Sequence, residues 1–251
     1  MFSTRSPPMM EMPHENRLET IAQLQRQIGA CERGAWSRAE VVSTGCAAVD
    51  QLLPDGGVRR GGLIEWIGQA HGGGAGALSL IAARQVCPAE KTVVAIDAQR
   101  RLAPATLANL GFDLSKVWIV RPQTKQEAWW TGEEALRCAA VGLVWADIEH
   151  LPTTQFRRWQ LAVEASQGVG FLVRPESALR HPSWADARLL VHSRVSRDAS
   201  PTYQVESVYS QGRTSRSKAG VQIDRFTGMT HEYASLLPTS ASPPSPLSLV
   251  S

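Results

Sequence analysis

Leu63-Ile64-Glu65-Trp66-Ile67 runs into Gly68-Gln69-Ala70-His71-Gly72-Gly73-Gly74-Ala75, and the segment from Leu78 to Val86 follows. The first run is short and mostly apolar, as a buried strand requires. The second is glycine-rich. The third carries Leu78, Ile81, Ala82 and Val86 on one side, which predicts a helix. Strand, glycine loop and helix in that order make the place where a phosphate-binding loop would sit. Such a loop needs glycines so that backbone N–H groups converge on phosphate oxygens. It also needs a Lys for the outer phosphates and a Ser or Thr for magnesium. In the frame G-x-x-x-x-G-K-S/T the glycines are Gly68 and Gly73, the Lys position is Gly74 and the Ser/Thr position is Ala75. The frame is present and both chemical groups are missing. The amine alone is a charge-assisted contact worth roughly 1.5–3 kcal/mol. Without either group, triphosphate binding is expected to be weak and hydrolysis all but absent. Ser79 lies four residues too late to supply the hydroxyl, and a lone loop His71 reads as solvated.

Outward from this loop, Thr92 to Ile96, Val117 to Val120, Gly142 to Ala146 and Gly170 to Val173 read as further buried strands. Pro104 to Leu110, Gln126 to Ala140 and a segment capped by Thr153 or Thr154 and running to Ser166 read as helices. Apolar runs alternating with helices predict an α/β fold, a mostly parallel sheet with helices on both faces. Gly68, Asp97 and Asp147 then fall at the C-terminal strand ends, where such sheets bind ligands. From Arg188 onward, Leu189 to Val191, Gln204 to Tyr209 and Val221 to Phe226 read as strands without helices between them. They predict a C-terminal antiparallel extension of the sheet. Residues 1–14 read as a disordered arm, and 15–36 as a helix with Leu18, Ile21, Leu24, Ile28 and Cys31 in one stripe. The main domain covers 40–235, and 236–251 read as a disordered tail rich in Ser and Pro.

The 251 residues carry 26 Lys and Arg against 23 Asp and Glu, a net charge of +3 that permits an anionic partner without requiring one. No apolar run is long enough for a membrane span, and residues 1–15 lack the apolar core of a signal peptide. A cytoplasmic protein is expected. Cys31, Cys46, Cys87 and Cys138 are widely spaced, so no zinc site is expected and the thiols read as buried or half-buried reduced residues. Trp66, Trp118 and Trp145 lie in strand runs and read as core. Of Trp129-Trp130, one ring faces inward and the exposed one is a candidate partner anchor.

Several segments together resemble the core of the RecA-type recombinases. They are Ser43-Thr44-Gly45, Val49-Asp50-Gln51-Leu52-Leu53, Gly56-Gly57 and Gly62 to Gly68, then Ile96-Asp97-Ala98-Gln99-Arg100-Arg101-Leu102-Ala103-Pro104, Leu110-Gly111-Phe112-Asp113 and Val120-Arg121-Pro122. The resemblance runs over about residues 40–230 and implies a RecA-like P-loop NTPase core. It also shows what is lost. Gln99 stands where these ATPases carry a water-activating glutamate, and an amide cannot act as a base. Asp147 matches the acid that holds magnesium and is the one chemical group retained; it could equally cap the following turn. The chain thus resembles a RecA-fold pseudo-ATPase, with no catalytic residues, no metal and no cofactor expected, and with Gly68, Gly72, Gly73, Gly74, Ala75 and Asp147 as remnants of a nucleotide site. The length, the degenerate loop, the N-terminal helix and Phe171-Leu172-Val173-Arg174-Pro175 are similar to the ImuA family of SulA- and RecA-like accessory proteins. That resemblance implies a bacterial, cytoplasmic protein of the SOS response and error-prone translesion synthesis. Its implied partners are an inactive Y-family polymerase homologue and an error-prone replicative-type DNA polymerase, with RecA itself a further candidate.

Residues 174–225 hold nine basic against five acidic side chains. Arg194, Arg197, Arg213, Arg216 and Lys218 are the candidates for contact with the phosphates of single-stranded DNA; the alternative is a solvated strand connection. Two other functions stay open at this point. One is an ATP-dependent recombinase-type enzyme, which would need a Lys from elsewhere, with Lys91, Lys116, Lys125 and Lys218 the only ones in the chain. The other is a regulator of division or recombination that acts by protein contact alone.

Overall fold

The period-two pattern of the strand at 141–147 shows how the fold is layered. Leu143 and Trp145 enter one apolar core, whereas Val144 and Ala146 enter a second. A strand buried on both faces belongs to the interior of a sheet covered by helices. A computed structural model shows that sheet; it describes residues 40–69, 73–195, 200–210, 217–224 and 229–233. The expected arm, N-terminal helix and tail lie outside these residues, as do Gly72, Arg197, Arg213 and Arg216.

In chain order the elements are β1 (Val41–Val42), α1 (Ala47–Asp50), β2 (Val58–Arg59), β3 (Gly62–Gly68), α2 (Ala75–Val86), β4 (Thr92–Asp97), α3 (Pro104–Asn109), β5 (Val117–Val120), α4 (Lys125–Arg137), β6 (Val141–Asp147), α5 (Thr153–Ser166), β7 (Val169–Pro175), β8 (Ala187–Arg194), β9 (Thr202–Ser210), β10 (Lys218–Ile223) and β11 (Thr230–Glu232). β1 and β2 form a small antiparallel pair. The other nine strands form one sheet in the order β11-β10-β9-β8-β3-β7-β6-β4-β5. β8, β3, β7, β6, β4 and β5 run parallel, and β9, β10 and β11 extend the sheet antiparallel. The α/β class and the mixed sheet match the expectation.

α2 covers one face with Leu78, Ile81, Ala82 and Val86, joined by Leu107 of α3 and by Leu52 and Leu53. α4 and α5 cover the other, through Ala128, Leu136, Phe156, Trp159 and Val163. The two helices meet closely at Gly132, where a Cβ would lie 1.8 Å from Cζ2 of the buried Trp159. The Trp159 indole then donates to the Trp129 carbonyl at 2.9 Å. The sheet centre carries a buried charge cluster. Glu65 on β3 lies 2.6 Å from Arg174 on β7 and 2.6 Å from Arg188 on β8. Arg188 also donates to the carbonyls of Ala178 and His181, which ties down the turn after β7.

Four expectations are corrected. β8 is parallel to β3, so the antiparallel part begins one strand later than Leu189. Trp118 is 68% exposed: β5 is the sheet edge, and no described helix covers that ring. α5 starts after Pro152, whose fixed φ suits the position, and neither Thr153 nor Thr154 caps it. Cys138 is exposed, while Cys46 is buried and Cys87 half-buried. Burial pushes the Cys87 thiol up to about 11, which leaves it inert.

Candidate functional site

β3 ends at Gly68 and α2 begins at Ala75, so the described glycines converge where the sequence predicts. Gly74 is the residue before the helix, with φ +84, a conformation that disfavours any side chain. Its carbonyl accepts from Leu78 N at 2.9 Å, the first bond of the helix. The loop is tightly closed. A Cβ on Gly68 would sit 3.0 Å from the Cβ of Ala75, and one on Gly73 2.8 Å from Gln69 N.

At the Lys position the space is taken. A Cβ on Gly74 would lie 2.1 Å from Cε1, 2.3 Å from Cδ1 and 2.9 Å from Cζ of Tyr203. Tyr203 comes from β9, two strands away from β3, and its ring stands against the loop where a lysine side chain would leave the backbone. Burial pushes its hydroxyl pKa above the usual tyrosine value. The next hydroxyl along the helix, Ser79, is fully buried and committed. It donates to Gly76 O at 2.8 Å and accepts from Trp145 Nε1 at 2.9 Å.

The acidic side of the site is filled as well. Asp147 closes β6 and is gripped by Arg101, from the turn after β4. The Nε–Oδ2 distance is 3.0 Å, and Nη2 lies 2.8 Å from Oδ1 and 2.7 Å from Oδ2. Burial raises the Asp147 carboxyl above its ordinary range and the Arg101 guanidinium pulls it back. Asp97, at the end of β4, is fully buried. It accepts from the amides of Arg101 and Leu102 and from Nε of Arg121 at 3.2 Å. Arg100 holds an unusual φ of +55 in this turn, and Gln99 lies beside it. Lys91 and Lys116 stand just before β4 and β5, at the opposite end of a parallel sheet, and bond to the carbonyls of Ala139 and Ala89. Among the described residues, the Tyr203 ring fills the space beside Gly74 where the frame would place an amine, and the Arg101 guanidinium is paired with Asp147, the acid that the resemblance assigns to magnesium.

Of the candidate basic residues, Arg194 and Lys218 are among the described ones, and each has an intrachain partner. Nε of Arg194 donates to Gln204 Oε1 at 3.0 Å, and Lys218 pairs with Glu206 at 3.0 Å, both within the antiparallel sheet. A different cluster stands at the C-terminal ends of β6 and β7. Trp129 meets the exposed His150 edge-on at 6.3 Å, and His150 meets the exposed His181 at 6.1 Å. Three residues after His181, the half-exposed ring of Trp184 has the Arg157 guanidinium 4.7 Å over it. These residues are scattered over some 55 positions. Only the adjacency of β6 and β7 unites them, and no local sequence signal could have found them. Among the described residues no group of three or more His, Cys, Asp or Glu could hold a metal ion. No described helix is long and apolar enough to cross a membrane.

A profile of the RecA N-terminal domain matches residues 18–151. The chain belongs to the RecA family. Its relatives include RecA of Caldanaerobacter subterraneus subsp. tengcongensis, 33% identical over 138 residues, or 51% of this chain and 38% of that protein. RecA of Heliobacterium modesticaldum is 33% identical over 119 residues, 46% of this chain and 33% of the relative. RecA of Treponema pallidum is 32% identical over 111 residues, 43% and 26% respectively. The matched segment thus spans about a quarter to two fifths of these RecA proteins. The matched residues include β3, Gly68, Gly73, Gly74, α2, Arg101 and Asp147, whereas Tyr203 lies beyond them.

Proposed function

We propose that this protein is a non-catalytic, RecA-like accessory factor in DNA damage tolerance. In this reading it works in the SOS response and error-prone translesion synthesis, in a bacterial cytoplasm. The observation that carries the loss of catalysis is the grip of Arg101 on Asp147. The last acid positioned for magnesium is already neutralised by a cation of the chain itself, so metal binding would have to break a charge-assisted bidentate pair. No ATP-dependent step follows from such a site.

The accessory role rests on RecA-family membership combined with this disabled site, and on the resemblance to the ImuA family. The fold then serves as a scaffold. Its partners would be an inactive Y-family polymerase homologue and an error-prone replicative-type DNA polymerase. Single-stranded DNA is a second partner, with bases stacking on His181 and Trp184 beside the Arg157 guanidinium. Two experiments test the reading. Affinity purification from DNA-damaged cells should recover both polymerases. A phosphate-release assay with single-stranded DNA should show no turnover; a rate near about 1 per second would overturn the non-catalytic reading.

A further inference from the structure

Trp66 lies within β3 and packs its ring into the first core, 1% exposed. The Phe171 ring meets it edge-on, with centroids 5.7 Å apart. Its Nε1 is buried and, among the described residues, has no hydrogen-bond partner. Buried donors are almost always paired. Two other core indoles obey that rule: Trp145 Nε1 donates to Ser79, and Trp159 Nε1 to the Trp129 carbonyl, both at 2.9 Å. Trp66 is the exception, and it lines a cavity. The inner part of that cavity, about 10 Å³, has room for about one solvent-sized atom. Leu78, Ile81, Val49, Thr44 and Thr230 also line it. An adjoining outer part of about 80 Å³ shares Ile81 and Thr230 and adds Leu110, Arg84, Gln85 and Met229. The last three are exposed, so the outer part opens to solvent. Arg84 and Gln85 belong to the last turn of α2, at the other end of that helix from the glycine loop.

We propose that this cleft binds a small, uncharged, apolar compound carrying a carbonyl group: its oxygen enters the inner part and accepts from Trp66 Nε1, and its carbon body lies against Ile81 and Leu110. The polar groups select this class. An indole N–H only donates, so its partner must be an acceptor. A water there would bring protons of its own and need two or more polar partners. The walls offer few. Leu78, Ile81 and Val49 are apolar, Thr44 Oγ1 is engaged with Asp50 at 2.7 Å and with Cys46 N at 3.3 Å, and Thr230 Oγ1 is turned to the Gly45 carbonyl. A carbonyl oxygen on an apolar body asks for one donor and hydrophobic walls, which is what a small-molecule pocket with a single orienting polar group supplies. The site owes nothing to the nucleotide loop or to the accessory role, and either can fail without it.

The test uses the full chain with nitrogen-15 in its eight tryptophans, whose indole N–H signals are followed by NMR. Trp66→Phe assigns the Trp66 signal; should that variant not fold, the contact with the Phe171 ring assigns it in the wild type. The probe is cyclopentanone, and cyclopentane, the same carbon ring without the oxygen, is its control. Cyclopentanone should move the Trp66 indole proton downfield in a saturable way and leave the exposed Trp130 unmoved. One neutral hydrogen bond should make the ketone bind about fivefold more tightly than the hydrocarbon. Both measurements are made on the wild type, so no result depends on a variant that fails to fold. A Trp66 signal that does not saturate with the ketone overturns the proposal, as does a hydrocarbon that binds equally well. A Trp66 proton that shows a cross-peak to bound water, undisturbed by the ketone, overturns it too, since a water then fills the seat.

Discussion

Removing Arg101 isolates what its pairing contributes. In Arg101→Ala the Asp147 carboxylate stays at the end of β6, 7% exposed, and loses its bidentate partner. Breaking a buried ion pair by deleting one side costs about 3–5 kcal/mol. The Arg101 side chain is 41% exposed, so solvent screens part of the pair and the expected loss shrinks to about 1–3 kcal/mol. The pH dependence sharpens the prediction. The Asp147 carboxyl already lies above the ordinary value of 3.8 in the folded chain, because burial outweighs Arg101. The folded state therefore holds a proton more readily than the unfolded state above that value, and this group's contribution falls as pH rises through the window. Deleting Arg101 removes the group that lowers the pKa, so the window widens and the deficit grows with pH. Urea unfolding of both proteins near pH 4 and near pH 7 measures it. A deficit below about 0.5 kcal/mol at neutral pH, or one equal at both pH values, would refute the reasoning.

Further outcomes can be stated from the same geometry. Gly74→Ala must accept a left-handed backbone, costing about 1–2 kcal/mol, and must also displace the Tyr203 ring; in a Tyr203→Val background only the backbone part should remain, as a double-mutant cycle in denaturant will show. Gly132→Ala drives a methyl into Trp159 at the α4–α5 crossing and should lower stability by about 3 kcal/mol, read by thermal unfolding. Asp186 has a pKa of about 6, raised by burial against the pull of Arg59. The protein should lose about 2–3 kcal/mol between pH 4 and pH 7, and Asp186→Asn should flatten that slope. Replacing His181 and Trp184 with Ala should weaken binding to a fluorescent single strand about tenfold or more while leaving the melting temperature within a few degrees; unchanged binding would remove this face as the DNA contact.

Local chemistry made much of the fold readable. The run from Gly62 to Val86 dictates strand, turn and helix through composition alone, and the acids closing β4 and β6 mark the end of the sheet where the site lies. What escaped was topology. The exposure of Trp118 follows from β5 having a neighbour on one side only, which a four-residue apolar run does not reveal. β8 was expected to be antiparallel because no helix separates it from β7. The chain instead crosses β3 through a short helical turn at 176–180 and an irregular stretch, without the helix that parallel connections usually carry. The site shows the same division. The missing Lys and Ser/Thr are visible at Gly74 and Ala75, but their replacements come from far along the chain. Tyr203 lies 129 positions beyond Gly74, and Arg101 46 before Asp147.

The charge cluster at the sheet centre bears on how the strands find their alignment. Glu65, Arg174 and Arg188 meet because three adjacent parallel strands are aligned as they are. Sliding β7 by a single residue would turn Arg174 toward the opposite core and strand a carboxylate among Phe and Leu side chains. Apolar side chains tolerate such a slip far better than an ion trio does, so misaligned assemblies of this sheet are penalised at its middle, before any edge strand has joined.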